Sequence, residues 1–349
     1  MSFSNLPLKS VFEILEPLFV NPEKTPSKCS FADIPQTISF LDSDVVLYGA
    51  PVDVTTSFGK GTNKGPEVIR LTSARQIETY IFEEKKDIQD CLKVFDIGDL
   101  RLPSSFFFPT VKKQKHYANK NKNKDRHLNT HLNTVFLDKV IPKITGLLYN
   151  DASKVPVIIG GEHTLSYYAI KTMAKEKPVV IHFDAHRDMK EQYEGIKMCH
   201  TTPFFHLLNE GHIRGNDLIQ IGIRQGDLEE NKMAENSGVA TFDAWSIHDN
   251  IENVKNYLRE KTQHRRIYIS FDIDVYDLPY VPCTGTPEPF GLNPFQVTDI
   301  IRSMNKSAQL IGMDLVEVSL KNNDYREGAL ASHTLLRILS SGLIKARSR

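Results

Sequence analysis

Apolar residues fall in seven short, unalternating runs, at 45–47, 93–97, 155–159, 179–183, 217–223, 267–271 and 310–313. A strand with one wetted face alternates apolar and polar residues. Runs this short, β-branched and uninterrupted belong to strands covered on both faces. From Leu128 onward they alternate with helical stretches, so the pattern predicts an α/β fold in which helices wrap a parallel sheet. Upstream, Phe12, Leu15 and Leu18 or Phe19 recur at helical spacing and predict an amphipathic helix over 11–19, followed by a Pro- and Ser-containing connector. Residues 1–44 therefore read as an N-terminal extension, and 45–349 as one catalytic domain. Between the first two runs lies GAPVDVTTSFGKGTNKGPEVIR, a Gly-, Thr- and Ser-rich loop that enters a helix near Pro66. Residues 105–127 include KKQKHYANKNKNKDRH, a low-complexity tract that reads as a solvated, flexible insertion. No internal repeat is visible.

Several runs lead directly into acidic and histidine residues at their carboxyl ends, where open parallel sheets place ligands. Gly160-Gly161-Glu162-His163-Thr164 follows 155–159, and Asp184-Ala185-His186-Arg187-Asp188 follows 179–183. Asp272-Ile273-Asp274 follows 267–271, and Glu317 lies shortly beyond 310–313. Singly, each has an ordinary explanation as a cap neighbour or turn former. Together they do not, because alternate residues of extended chain project the same way. Asp184, His186 and Asp188 face one point, as do Asp272 and Asp274, and such a cluster repels itself unless cations lie within it. Four aspartates and two histidines without a thiolate form a hard, oxygen-rich set. It suits Mn²⁺ first, with Ni²⁺ or Co²⁺ next, rather than structural zinc. Six ligands exceed one tetrahedral site and fit two ions about 3.5–4 Å apart, with a water between them that loses a proton near neutral pH.

Charge narrows the partners. Lysine plus arginine and aspartate plus glutamate each number 43, so no global field recruits nucleic acid or acidic membrane, and the Lys/Asn tract lacks interleaved aromatics beyond Tyr117. No uncharged apolar run reaches membrane-spanning length. Cys29, Cys91, Cys199 and Cys283 stand far apart, as reduced thiols do. The expectation is a soluble, unexported, cytoplasmic protein with a small-molecule substrate.

GGEHT, FDAHRDM, SFDIDVYD with PCTGTPEP, and MDLVEV resemble the signature blocks of the ureohydrolase superfamily of arginases and agmatinases, agmatinases most of all, from about residue 45 onward. GAPVDVTTSFGKGTNKGPEVIR and GIKMCHTTPF are also similar to agmatinase segments. The resemblance implies a three-layer α/β/α fold with a mostly parallel sheet of about eight strands, and a homotrimer or homohexamer. It places one metal on His163, Asp184, Asp188 and Asp272 and the other on His186, Asp184, Asp272 and Asp274. Glu317 would hold the guanidinium, Asp274 would steady the protonated nitrogen, and His200 matches the family's proton-shuttling histidine.

The implied reaction is hydrolysis of a guanidino compound to urea and an amine, with agmatine giving putrescine. The Thr-, Ser- and Asn-rich loop of arginases is replaced by Met189-Lys190-Glu191-Gln192-Tyr193-Glu194-Gly195, which disfavours free arginine. Glu191 and Glu194 suit a terminal ammonium. Lys190, Lys197 or Arg187 would instead suit a carboxylate, as in guanidinobutyrate. Guanidinobutyrase, guanidine hydrolase, arginase and an inactive metal-binding relative with a structural or regulatory role are the alternatives. Cys283 and Phe290 stand where the family usually has glycine, and Leu278 where proline is common, so the pocket loop departs from the pattern.

Overall fold

A computed structural model describes residues 6–33, 38–88, 93–103, 106 and 122–345, except for the side chains of 122–129. Cys91 and residues 107–121 of the low-complexity tract lie outside the described residues. In chain order the strands are β1 (Phe19–Val20), β2 (Val45–Gly49), β3 (Tyr80–Ile81), β4 (Lys86–Asp87), β5 (Val94–Leu100), β6 (Val155–Ile159), β7 (Val179–Phe183), β8 (Leu218–Ile223), β9 (Ala240–Asp243), β10 (Arg266–Asp272) and β11 (Gln309–Val316). Nine of them form one sheet, in the order β1-β5-β2-β6-β11-β10-β7-β8-β9, while β3 and β4 form a small hairpin. Eight neighbouring strands from β5 to β9 are parallel, and only β1 pairs antiparallel, along the edge of β5.

Alternate strand residues feed two separate cores. Val45, Leu47, Val157, Ile159, Ile181 and Phe183 enter one, and Val46, Tyr48, Ile158 and Val180 enter the other. The first core is closed by α2 (Gly65–Arg75), α7 (Ala244–Asp249), α8 (Ile251–Lys261), α9 (Pro294–Ser303) and α10 (Arg326–Ser340). The second is closed by α1 (Leu8–Leu15), α3 (Lys122–Gly146), α4 (Thr164–Met173), α5 (Pro203–Asn209) and α6 (Leu228–Ser237). This is the three-layer α/β/α arrangement, and it explains why the strand runs do not alternate: both of their faces are dry.

Three sequence expectations are corrected. The N-terminal helix ends at Leu15 rather than Phe19, because Pro17 turns residues 16–18 into a 3₁₀ turn and Phe19 enters the sheet. Helix α3 already begins at Lys122, so the last six residues assigned to the insertion are regular structure. Strand β9 was not expected at all: its four residues are only partly buried and too few to show a pattern.

Candidate metal centre and active site

Strands β6, β11, β10 and β7 are adjacent in the sheet, and their carboxyl ends carry all the clustered residues to one rim. The first contribution turns on two glycines. Gly160 and Gly161 have φ of +73° and +81°, and a Cβ on Gly161 would lie 2.3 Å from the Ala50 carbonyl oxygen, so only glycine permits this reversal. The turn delivers His163 to the N-cap of α4, where its side chain caps nothing. Its Nδ1 instead faces Asp188, Asp184 and Asp272 at 2.9, 3.1 and 3.3 Å. From β7, His186 Nδ1 lies 3.0 Å from Asp274 and 3.4 Å from Asp184. Asp184 thus belongs to both groups, and all six expected ligands are gathered.

The backbone aims these side chains. Asp184 Oδ1 accepts the His186 amide at 2.6 Å, Asp272 Oδ1 accepts the Asp274 amide at 2.8 Å, and Asp274 Oδ1 accepts the Ala185 amide at 2.9 Å. Each carboxylate is thereby held through at least one oxygen by the protein. Asp274 Oδ2 and His163 Nδ1 are buried and face groups of the cluster itself, His186 Nδ1 in the first case and the three carboxylates in the second. Asp188 and Glu317 hold φ of +51° and +62°, left-handed backbone that such residues rarely adopt and that clusters at functional sites.

Electrostatics point the same way. Burial, then the Asp184 charge, pushes Asp188 up to about 7. Burial, then Asp274 and Asp184, raises Asp272 well above the carboxylate range. Burial alone would lower the His163 pKa, but its bonds to Asp184, Asp188 and Asp272 prevail and raise it far above the usual value. His186 behaves likewise beside Asp274 and Asp184. Despite its burial, Asp184 is held below the usual range by His182, His163 and His186, while Asp188, Asp272, His163 and His186 are all shifted toward their protonated forms. Buried carboxylates and imidazole nitrogens packed this closely, with such a demand for positive charge, are what two divalent cations would relieve, so the residues fit the expected pair.

Beneath the rim runs a row of polar residues that the sequence reading missed. Strand register aligns Asp314, Ser270, His182, Gln220 and Thr241 across β11, β10, β7, β8 and β9. Ser270 donates to Asp314 at 2.8 Å and so offers its lone pairs to His163 Nε2 at 3.0 Å. Gln220 donates to His182 Nδ1 at 3.2 Å, leaving His182 Nε2–H to bond Asp184 at 2.7 Å. Burial holds His182 down to about 4, so it stays neutral. These bonds fix the protonated nitrogen of His182 and orient the His163 ring so that Nδ1 faces the carboxylates. The available signal was a polar residue inside each doubly buried run.

Arg224, just past β8, was also missed. Its guanidinium bonds the carbonyls of Asp274, Tyr276, Glu288 and Pro289 at 2.7–3.2 Å, tying the Asp274 loop to the 285–291 loop. In that loop Phe290 has φ of +65°, the conformation for which glycine is usual, and is 65 % exposed, its ring 6.0 Å from that of Trp245. Cys283 is buried, with its amide on Glu327, and Leu278 is exposed.

Glu317 Oε1 accepts the His163 amide at 2.8 Å. His200 is buried between Thr55 and Ser57. Burial first, then the charges of His186 and His163, lowers its pKa to about 3. Two cations considered for a substrate carboxylate are committed elsewhere: Arg187 bonds Asn231, Gln220 and Thr241, and Lys190 bonds Asp227 and Glu230. Lys197, Glu191 and Glu194 are exposed. Among the described residues no helix is long and apolar enough to cross a membrane.

Comparison with known proteins matches residues 43–340 to the arginase family. An agmatinase of Bacillus anthracis is 31 % identical over 312 residues, covering 88 % of this chain and 94 % of that protein. A guanidinobutyrase of Pseudomonas aeruginosa is 30 % identical over 292 residues, covering 81 % and 82 %. The solved proclavaminate amidino hydrolase of Streptomyces clavuligerus superposes with a TM-score of 0.72 at 27 % identity, over 91 % of this chain and 99 % of that one.

Proposed function

Because this chain belongs to the arginase family, hydrolases acting on guanidino C–N bonds, we propose that it cleaves agmatine to urea and putrescine. The observation that carries the choice is the commitment of Arg187 and Lys190 to internal partners. Arg224 likewise spends its donors on backbone carbonyls. Glu191 and Glu194 outnumber Lys197 among the exposed charges of the same stretch, so the rim suits a substrate whose far end is a cation. Guanidinobutyrate, the acid analogue, is the second reading, and the Pseudomonas relative keeps it in view.

His163, Asp184, Asp188 and Asp272 hold one divalent ion and His186, Asp184, Asp272 and Asp274 the other, manganese before nickel or cobalt. Bound there, the pair supplies a water that is deprotonated near neutral pH and able to attack the guanidinium carbon. Glu317 binds the guanidinium by charge-assisted hydrogen bonds as a carboxylate, any proton on it leaving to water as the cation enters. Asp274, whose Oδ1 is held by the Ala185 amide, accepts through Oδ2 from the guanidino nitrogen as that nitrogen gains a proton. His200 protonates the departing amine, which cannot leave as an anion. We place the protein in the cytoplasm as a homotrimer or homohexamer.

A panel of agmatine, guanidinobutyrate, guanidine and arginine, with urea measured, tests the reading. Agmatine is expected to give the highest kcat/KM. Equal rates on arginine and agmatine, or a clear preference for guanidinobutyrate, would overturn the assignment.

A further inference from the structure

His200 must exchange a proton with solvent in every turnover, yet it is buried and its Nδ1 side is closed. Glu162, fully buried, accepts the amides of Val54 and Thr55 at 2.6 and 2.7 Å and the hydroxyls of Thr55 and Thr164 at 2.8 and 3.0 Å. These four donors converge on its two carboxylate oxygens. The Thr55 hydrogen therefore points at Glu162, and only its lone pairs face His200. They receive the His200 amide at 3.0 Å and stand 3.5 Å from Nδ1. The nitrogen opposite a lone pair carries the hydrogen, so the neutral ring is the Nδ1–H tautomer and Nε2 holds the free pair. Ser57 Oγ lies 3.1 Å from that Nε2, on an exposed residue of the loop between β2 and α2.

We propose that Ser57 is the outlet of a hydrogen-bonded chain running Glu162–Thr55–His200–Ser57, holding the His200 tautomer and passing its proton between imidazole and solvent. The Ser57 hydroxyl gives its proton to Nε2 while its oxygen takes one from a water-borne acid. The serine ends unchanged, and the imidazolium surrenders that same Nε2 proton to the leaving nitrogen, because its Nδ1–H stays on the closed side against Thr55. Ser57 thus acts through His200 as a positioning and relay residue, a role that rests on the proposed hydrolysis.

Two measurements on the full chain test it. In the metal-free protein, ¹⁵N chemical shifts of the His200 ring are expected to show a protonated Nδ1 and a hydrogen-bonded, unprotonated Nε2. Ser57→Ala should move Nε2 toward a free lone pair, and Ser57→Thr should restore it. In the loaded enzyme Ser57→Ala should lower kcat about tenfold with KM unchanged, raise the solvent isotope effect and recover with imidazole buffer, while Ser57→Thr stays near wild type. A protonated Nε2, or Ser57→Ala with unchanged kcat and isotope effect, overturns the relay alone. If wild-type protein releases no urea from any guanidino compound, the hydrolase reading fails first and the relay with it.

Discussion

His163 sits where a helix cap would sit and does not cap, and the explanation lies in what its two nitrogens touch. Nε2 meets Ser270 and Nδ1 meets three carboxylates. The sequence shows the donors themselves, because strand periodicity puts Asp184, His186 and Asp188 on one side. It does not show which oxygen each carboxylate keeps free, since that depends on amides such as those of Ala185 and Asp274. Two predictions belong here. Ligands must lose protons to bind cations, and Asp188 sits at about 7. Apparent metal affinity should therefore rise with pH through 7, and loading at neutral pH should release protons. Calorimetry in two buffers of different ionisation enthalpy checks this, and affinity independent of pH from 6 to 8 contradicts it. Asp184→Asn should leave at most one ion per chain by elemental analysis and abolish urea release, since it removes one of the two carboxylates that the proposed ion sites share.

At the scale of elements, the polar row through β11, β10, β7, β8 and β9 turns a structural sheet into a mount for the site. Period-2 reading separates wet faces from dry ones, and it correctly identified dry strands. It has no means to recognise that His182 and Gln220 satisfy one another across a register it cannot see. His182→Leu should weaken metal binding about ten- to a hundredfold, because Asp184 loses the donor that orients it. Acid stability carries the same residue's signature. A histidine held at about 4 when folded and near 6.5 when unfolded lets the unfolded chain bind the extra proton between those values, so stability falls as pH drops through that window. The slope is about 1.4 kcal/mol per pH unit. His182→Leu should flatten that slope in urea titrations of metal-free protein. Arg224→Ala should destabilise the fold by about 2–3 kcal/mol, since several loop carbonyls lose their donor together. Chemical denaturation measures this, and a change below 0.5 kcal/mol would show that the guanidinium is dispensable.

For the molecule as a whole, the N-terminal segment is more than a leader to the catalytic sheet. Val11, Leu15 and Phe19 are buried in the second core, and β1 covers the outer edge of β5. The amphipathic spacing was readable, but its partner was not, because a contact between residue 19 and residue 100 leaves no local trace. Removing residues 1–20 should cost up to roughly 5 kcal/mol from the apolar surface exposed and leave β5 as an open edge that promotes self-association. Thermal melting and light scattering of the truncated chain check both. Through all of this the sheet serves one end, bringing residues separated by more than a hundred positions to a common rim. The most direct test is the metal content of purified protein equilibrated with Mn²⁺ and freed of excess: two ions per chain are expected, and a folded protein that retains none would contradict the account.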